Sequence, residues 1–95
     1  MAYRILLVDD EPLARERLKR LLQAHPDFSV AGEAAHGDAA LDWLQQQDAD
    51  LVLLDIHMPG VDGMSLAATL RTLMAPPMVV FVTAHAEHAV QAFEL

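Results

Sequence analysis

The sequence predicts a doubly wound, parallel α/β sheet, and three observations lead there. Four short apolar runs rich in β-formers recur along the 95 residues, each reading as a strand buried on both faces. Between them lie segments with apolar residues at helical spacing, punctuated by Pro and Gly. The resulting order is βαβαβαβα. With right-handed crossovers, that alternation gives a parallel sheet covered by helices on both faces.

Residues 4–8, Arg-Ile-Leu-Leu-Val, form the first strand and run into Asp9 and Asp10. Glu11-Pro12 begins a helix, because the missing proline N–H costs nothing in a first turn. Leu13, Leu18, Leu21 and Leu22 carry that helix until His25-Pro26 stops it. Phe28 to Ala34 is the second strand. Gly37-Asp38 opens a second helix through Ala39, Ala40, Leu41, Trp43 and Leu44, ending near Gln47. Leu51 to Leu54 is the third strand, ending in Asp55. Pro59-Gly60 marks a loop, and Asp62 is placed to cap a third helix through Met64, Leu66, Ala67, Leu70 and Leu73. Pro76-Pro77 breaks it. Met78 to Val82 is the fourth strand, ending at Thr83, and Ala86 to Leu95 reads as a fourth helix. Such short connections leave no room for a second domain or a linker.

Composition narrows the function. With 54% hydrophobic residues the chain is built to fold, and disorder is excluded. It has no cysteine, hence neither disulfides nor a thiolate metal site, which suits a reducing cytosol. The N-terminal apolar run is too brief for a signal peptide or a membrane span, so a cytoplasmic protein without membrane contact is expected. A formal charge of -8 argues against direct nucleic-acid binding. Arg15, Arg17, Lys19 and Arg20, interleaved with Glu16 and leucines, read as a solvated helix face.

The carboxylates fall in more informative places. In an open α/β sheet the functional crevice lies outside the carboxyl ends of the strands. Asp9 and Asp10 follow the first strand, Asp55 the third and Thr83 the fourth. Carboxylates converging on one crevice repel one another unless a cation sits among them, and hard oxygen ligands suit Mg²⁺ and phosphoryl chemistry. Taken singly, each residue has a plainer reading. An aspartate after a strand is usually a turn former or helix cap; Asp10 could cap the helix at Glu11, and Thr83 could be an ordinary strand end. The combination of three strand ends on one edge is what favours a site.

Three segments carry a resemblance: Ile-Leu-Leu-Val-Asp9-Asp10-Glu11-Pro12, Leu-Val-Leu-Leu-Asp55-Ile-His-Met-Pro59-Gly60-Val-Asp62-Gly63, and Val-Val-Phe-Val-Thr83-Ala84. In this order and at these separations they resemble the receiver domains of two-component response regulators, over the whole chain. The Glu-Pro-Leu-Ala-Arg-Glu-Arg-Leu run and the ending Ala-Val-Gln-Ala-Phe-Glu-Leu further resemble receivers that precede a LytTR-type DNA-binding domain. The resemblance implies a flavodoxin-like sheet of order 2-1-3-4, with Asp55 accepting a phosphoryl group from a phosphohistidine on a sensor histidine kinase. It implies Mg²⁺ held directly by Asp10, through water by Asp9, and by Asp55 and the backbone carbonyl of His57. Thr83 would hydrogen-bond the phosphoryl oxygen and relay its presence to an output domain, as expected of a switch in transcription regulation rather than an enzyme. In receivers, the positions of His57 and His85 border the path of attacking water. The plain reading of both is as solvent-exposed loop residues; the sharper one has them tune loss of the phosphoryl group.

Receivers also carry a lysine after a fifth strand and an aromatic residue on that strand. These 95 residues contain neither, and their one lysine, Lys19, belongs to the first helix. The expectation is therefore a single receiver domain over 1–95 that lacks its fifth strand and helix. Its uncharged fourth strand, Met-Val-Val-Phe-Val, would form an open edge prone to self-association. Two rivals stand beside this reading. One is a Mg²⁺-dependent phosphatase or nuclease, disfavoured because His57 stands where such enzymes place a second acid. The other is an interaction fragment that dimerises without being phosphorylated.

Overall fold

The computed structural model describes residues 2–55 and 63–82. Its elements run β1 (Tyr3–Val8), α1 (Pro12–Leu22), β2 (Phe28–Ala34), α2 (Gly37–Gln46), β3 (Leu51–Asp55), α3 (Gly63–Leu70) and β4 (Met78–Val82). The four strands form one parallel sheet of order β2-β1-β3-β4, as expected. The fourth helix expected over residues 86–95 and the Asp62 cap lie outside the described residues.

β1 is central, and its sequence explains why. Ile5, Leu6, Leu7 and Val8 are each at most 1% exposed, so both faces of the strand are covered. One face joins Leu6 and Val8 to Val52, Leu54, Ala40, Leu66 and Leu70, the cluster roofed by α2 and α3. Each large side chain removed from water in this way contributes about 1.5–3 kcal/mol. On the other face Leu7 lies opposite Glu33 of β2, and Glu33 is hydrogen-bonded by Arg15 and Lys19 of α1. Partner side chains on parallel strands project to the same face, so α1 covers the face of Ile5 and Leu7. Helices on both faces follow.

α1 ends at its last periodic leucine, and α3 ends before its own. α1 closes at Leu22, where the Gln23, Ala24 and His25 amides tighten onto the carbonyls of Arg20, Leu21 and Leu22 in three-residue turns. α3 closes at Leu70 rather than continuing to Leu73. There the Thr72 amide and hydroxyl both donate to the Thr69 carbonyl, at 3.0 and 2.6 Å, and pull the last turn off helical geometry. Leu73 still packs against the core cluster. α2 starts at Gly37, as expected, with His36 as its N-cap, whose Nδ1 accepts the Ala39 N–H at 3.2 Å.

β2 carries a one-residue bulge. Val30 pairs with Ile5 and Gly32 with Leu6, leaving Ala31 as the extra residue. The following Gly32 lies beneath the indole of Trp43; a Cβ there would abut Nε1 and stand 2.7 Å from Cε2. Glycine is thus required by close approach. Gly32→Ala should cost about 1–3 kcal/mol by overpacking. Urea unfolding followed by Trp43, the sole tryptophan, measures it; an unchanged midpoint would show that the indole simply swings aside.

Candidate functional site

The β1–β3 register sets the site. Val8 pairs with Leu54, so the next residues, Asp9 just past β1 and Asp55 at the end of β3, lie side by side at the sheet's carboxyl edge. Asp10 follows Asp9 into the loop. Asp9 is buried at 8% exposure, Asp55 half-buried and Asp10 exposed, and each offers a carboxylate oxygen within 4.8 Å of the others. Two unit charges at that separation repel by about 1 kcal/mol in bulk water and about 3.5 kcal/mol at an effective dielectric of about 20. The real cost lies between these limits, nearer the lower for exposed Asp10. A divalent cation converts the repulsion to attraction, and an all-oxygen donor set of this kind fits a hard cation. Asp9, Asp10 and Asp55 were expected together from the sequence, and the fold brings them together. Thr83, the His57 carbonyl and His85 lie outside the described residues.

Asp9 is fastened at three points. Its N–H donates to the Ala34 carbonyl at 3.1 Å, its Oδ1 accepts the Glu11 N–H at 2.9 Å, and its carbonyl accepts from Nη1 of Arg15. The alternative in which Asp10 caps α1 is thereby corrected. Glu11 is the N-cap residue, without a side-chain cap of its own, and the carboxylate serving the turn belongs to Asp9.

The expectation that Arg15, Arg17, Lys19 and Arg20 form one solvated face holds for Arg17 and Arg20, which are exposed. Arg15 and Lys19 instead grip the two oxygens of Glu33, each at 3.0 Å, and Lys19 also pairs with Glu16. Lys19 is raised above its ordinary range, first by the Glu16 carboxylate and then by Glu33. Glu33 is lowered, chiefly by Lys19 and further by Arg15, against the opposing effect of partial burial. No apolar or periodic signal marks Glu33; only the 14- and 18-residue spans to its partners, which the fold closes, reveal it.

Residues 5–95 match the family model of the response regulator receiver domain. The positive alginate biosynthesis regulatory protein of Pseudomonas aeruginosa is 49% identical over 92 residues, covering 96% of this chain and 37% of that protein. The sensory transduction protein LytT of Bacillus cereus is 41% identical over 92 residues, covering 97% and 37%. The chain therefore spans little more than a third of the length of these relatives. Among solved structures, the response regulatory domain of MrkE from Klebsiella pneumoniae superposes with a TM-score of 0.84 at 37% identity, covering 96% of this chain and 75% of that one. The response regulator TrrA from Thermotoga maritima, in complex with Mg²⁺-BeF, gives 0.83 at 37% identity, covering 95% and 76%. The chain belongs to the response regulator receiver domain family of two-component systems, whose members are signalling switches rather than classical enzymes. The LytT relatives agree with the subfamily that the Glu11–Leu18 run resembles. No helix among the described residues is long and apolar enough to cross a membrane.

The Glu33 ion pairs make a pH prediction. A carboxylate whose folded pKa is lowered stabilises fully above its unfolded value of 4.5, and that contribution is lost as pH falls through the lower folded value. The gap in unfolding midpoint between wild type and Glu33→Gln should be complete at about pH 7 and close progressively below about pH 4.5, being smaller at high salt since the pairs are partly exposed. A gap that persists unchanged at about pH 3 would show that the charge pairs contribute nothing.

Proposed function

We propose that this chain is a phosphoacceptor module of the bacterial cytoplasm, modified on Asp55 by a sensor histidine kinase in a Mg²⁺-dependent step. The observation that carries the reading is the convergence of Asp9, Asp10 and Asp55 at the carboxyl edge of β1 and β3. A carboxylate oxygen of Asp55 attacks the phosphorus of a phosphohistidine. The new P–O bond makes an acyl phosphate, the P–N bond breaks, and the departing imidazole nitrogen takes up a proton. Asp10 would hold the metal directly and Asp9 through water, with Asp55 and the His57 carbonyl supplying the remaining protein oxygens. Bound Mg²⁺ supplies positive charge against that developing on the transferred group. Thr83 donates its hydroxyl to a phosphoryl oxygen and reports modification to an output domain, in keeping with a relative named as the transcriptional regulatory protein YpdB. TrrA, solved with Mg²⁺-BeF, supports the metal by likeness.

Incubation with acetyl phosphate and Mg²⁺, followed by intact-mass measurement, tests this. Wild type should gain one phosphoryl group, and Asp55→Asn none. Asp10→Asn should weaken Mg²⁺ binding, read by calorimetry or NMR shifts, more than Asp9→Asn. Consumption of acetyl phosphate without a mass gain would favour a phosphatase. Inertness with metal affinity equal in all variants would sink the site.

We further propose that a polypeptide ending at Leu95 self-associates. Among the described residues no strand pairs beyond β4, and Met78 and Val80 are 69% and 41% exposed beside Tyr3 and Phe28. Those four, with Asp50 and Leu51, line a mostly apolar groove of about 530 Å³ on the sheet. An open, uncharged strand edge beside such a surface favours pairing with a second chain. Light scattering at high micromolar concentration should report dimers or larger species; a stable monomer contradicts the proposal.

A further inference from the structure

We infer that Arg15 is a positioning residue for the metal site, acting on Asp9 and Asp10 through the backbone while Glu33 holds it in place. The inference rests on the reading of Asp9, Asp10 and Asp55 as that site. Arg15 reaches from α1 in two directions: Nε donates to Oε1 of Glu33 at 3.0 Å, and Nη1 donates to the Asp9 carbonyl. That carbonyl belongs to the peptide joining Asp9 to Asp10, so a bond to it restrains how the Asp10 Cα leaves the strand. Among the described residues it is the α1 side chain that restrains that peptide, for the other two fastenings of Asp9 use its N–H and its carboxylate. Glu33 is itself fixed, one residue before Ala34, whose carbonyl takes the Asp9 N–H. The brace therefore closes a ring from β1 through α1 and β2 back to β1. Its side chains are sheltered, at 17% exposure for Arg15 and 33% for Glu33. A planar guanidinium serves both acceptors at once, which an ammonium on a flexible stem cannot do with the same geometry.

Charge and geometry predict opposite signs. A cation near a cation site disfavours Mg²⁺, so losing Arg15 would tighten binding if charge dominated. Its pairing with Glu33 largely cancels that field, leaving geometry to decide. Mg²⁺ titrations of the 95-residue chain, read by NMR shifts of the Asp9 and Asp10 amides, distinguish the two. Arg15→Ala should weaken Mg²⁺ binding about tenfold, as loss of supporting contacts around metal ligands commonly does. Arg15→Lys, which keeps charge and stem, should recover only part of it. Arg15→Ala/Glu33→Ala leaves net charge unchanged and should bind as weakly as Arg15→Ala. Lys19→Ala, which removes only the outer partner of Glu33, should stay within about twofold of wild type by the same comparison. A purely structural role would lower the unfolding midpoint of the Arg15 variants yet leave Mg²⁺ affinity at the wild-type value, overturning the inference alone. Tighter binding in Arg15→Ala would overturn it too. Wild type that binds no Mg²⁺ would overturn both the site and the inference.

Discussion

Asp50 ties three strands together where they begin. Its carboxylate accepts the Arg4 N–H at 2.7 Å, its own N–H donates to the Arg4 carbonyl at 2.8 Å, and its carbonyl accepts the Met78 N–H at 3.0 Å. Arg4 answers with its side chain, donating to the Asp48 carbonyl and to Gln47 Oε1. This clamp aligns Ile5 with Leu51, and the alignment runs to Val8 opposite Leu54. Strand register has a period of two, so a slip of one residue would turn Val52 and Leu54 out of the core and carry Asp55 away from Asp9. The site at one end of the sheet thus depends on hydrogen bonds at the other.

Much of this was legible in the sequence because it depends on local pattern. Phe28–Ala34 and Met78–Val82 are bounded in the chain as the apolar runs and their Pro and Gly neighbours suggest. Asp9, Asp10 and Asp55 could be placed together because a parallel sheet brings every strand's carboxyl end to one edge. The rest depends on contacts between residues distant in sequence. Asp50 looks like any turn aspartate until Arg4 is folded beside it, 46 residues away. Arg15 and Lys19 look solvated until β2 presents Glu33. The early end of α3 is the exception: it arises locally from the Thr72 hydroxyl, which an apolar period does not register.

The two faces of the sheet are built differently. Beneath α2 and α3 the packing is apolar throughout, with Leu66 and Leu70 at most 1% exposed, and close enough at Gly32 that no methyl fits under Trp43. Beneath α1 the apolar contact of Ile5 and Leu7 gives way, toward the carboxyl edge, to Glu33 and its two cations. Apolar packing is non-directional and tolerates small rotations of a helix. Charge-assisted hydrogen bonds fix orientation more narrowly. The helix that follows the two aspartates directly is thus the one whose position over the sheet is fixed by directional bonds.

These features give the sheet opposite characters at its two ends. At the amino end the polar groups named above are paired, and the Asp50 carboxylate accepts the Arg4 N–H. At the carboxyl end three carboxylates approach to within 4.8 Å, an arrangement that opposes folding in the absence of a cation. The apolar interior and the clamp offset that repulsion, so the folded chain can hold a charge arrangement that a short peptide would spread apart. Repulsion held in place in this way supplies a preference for incoming positive charge that the chain need not reorganise to express. It also makes the exact placement of Asp10, the one exposed member of the three, the most sensitive quantity in the site, since among the described residues it is held by the turn between β1 and α1 and by the Arg15 brace on its preceding peptide rather than by the core.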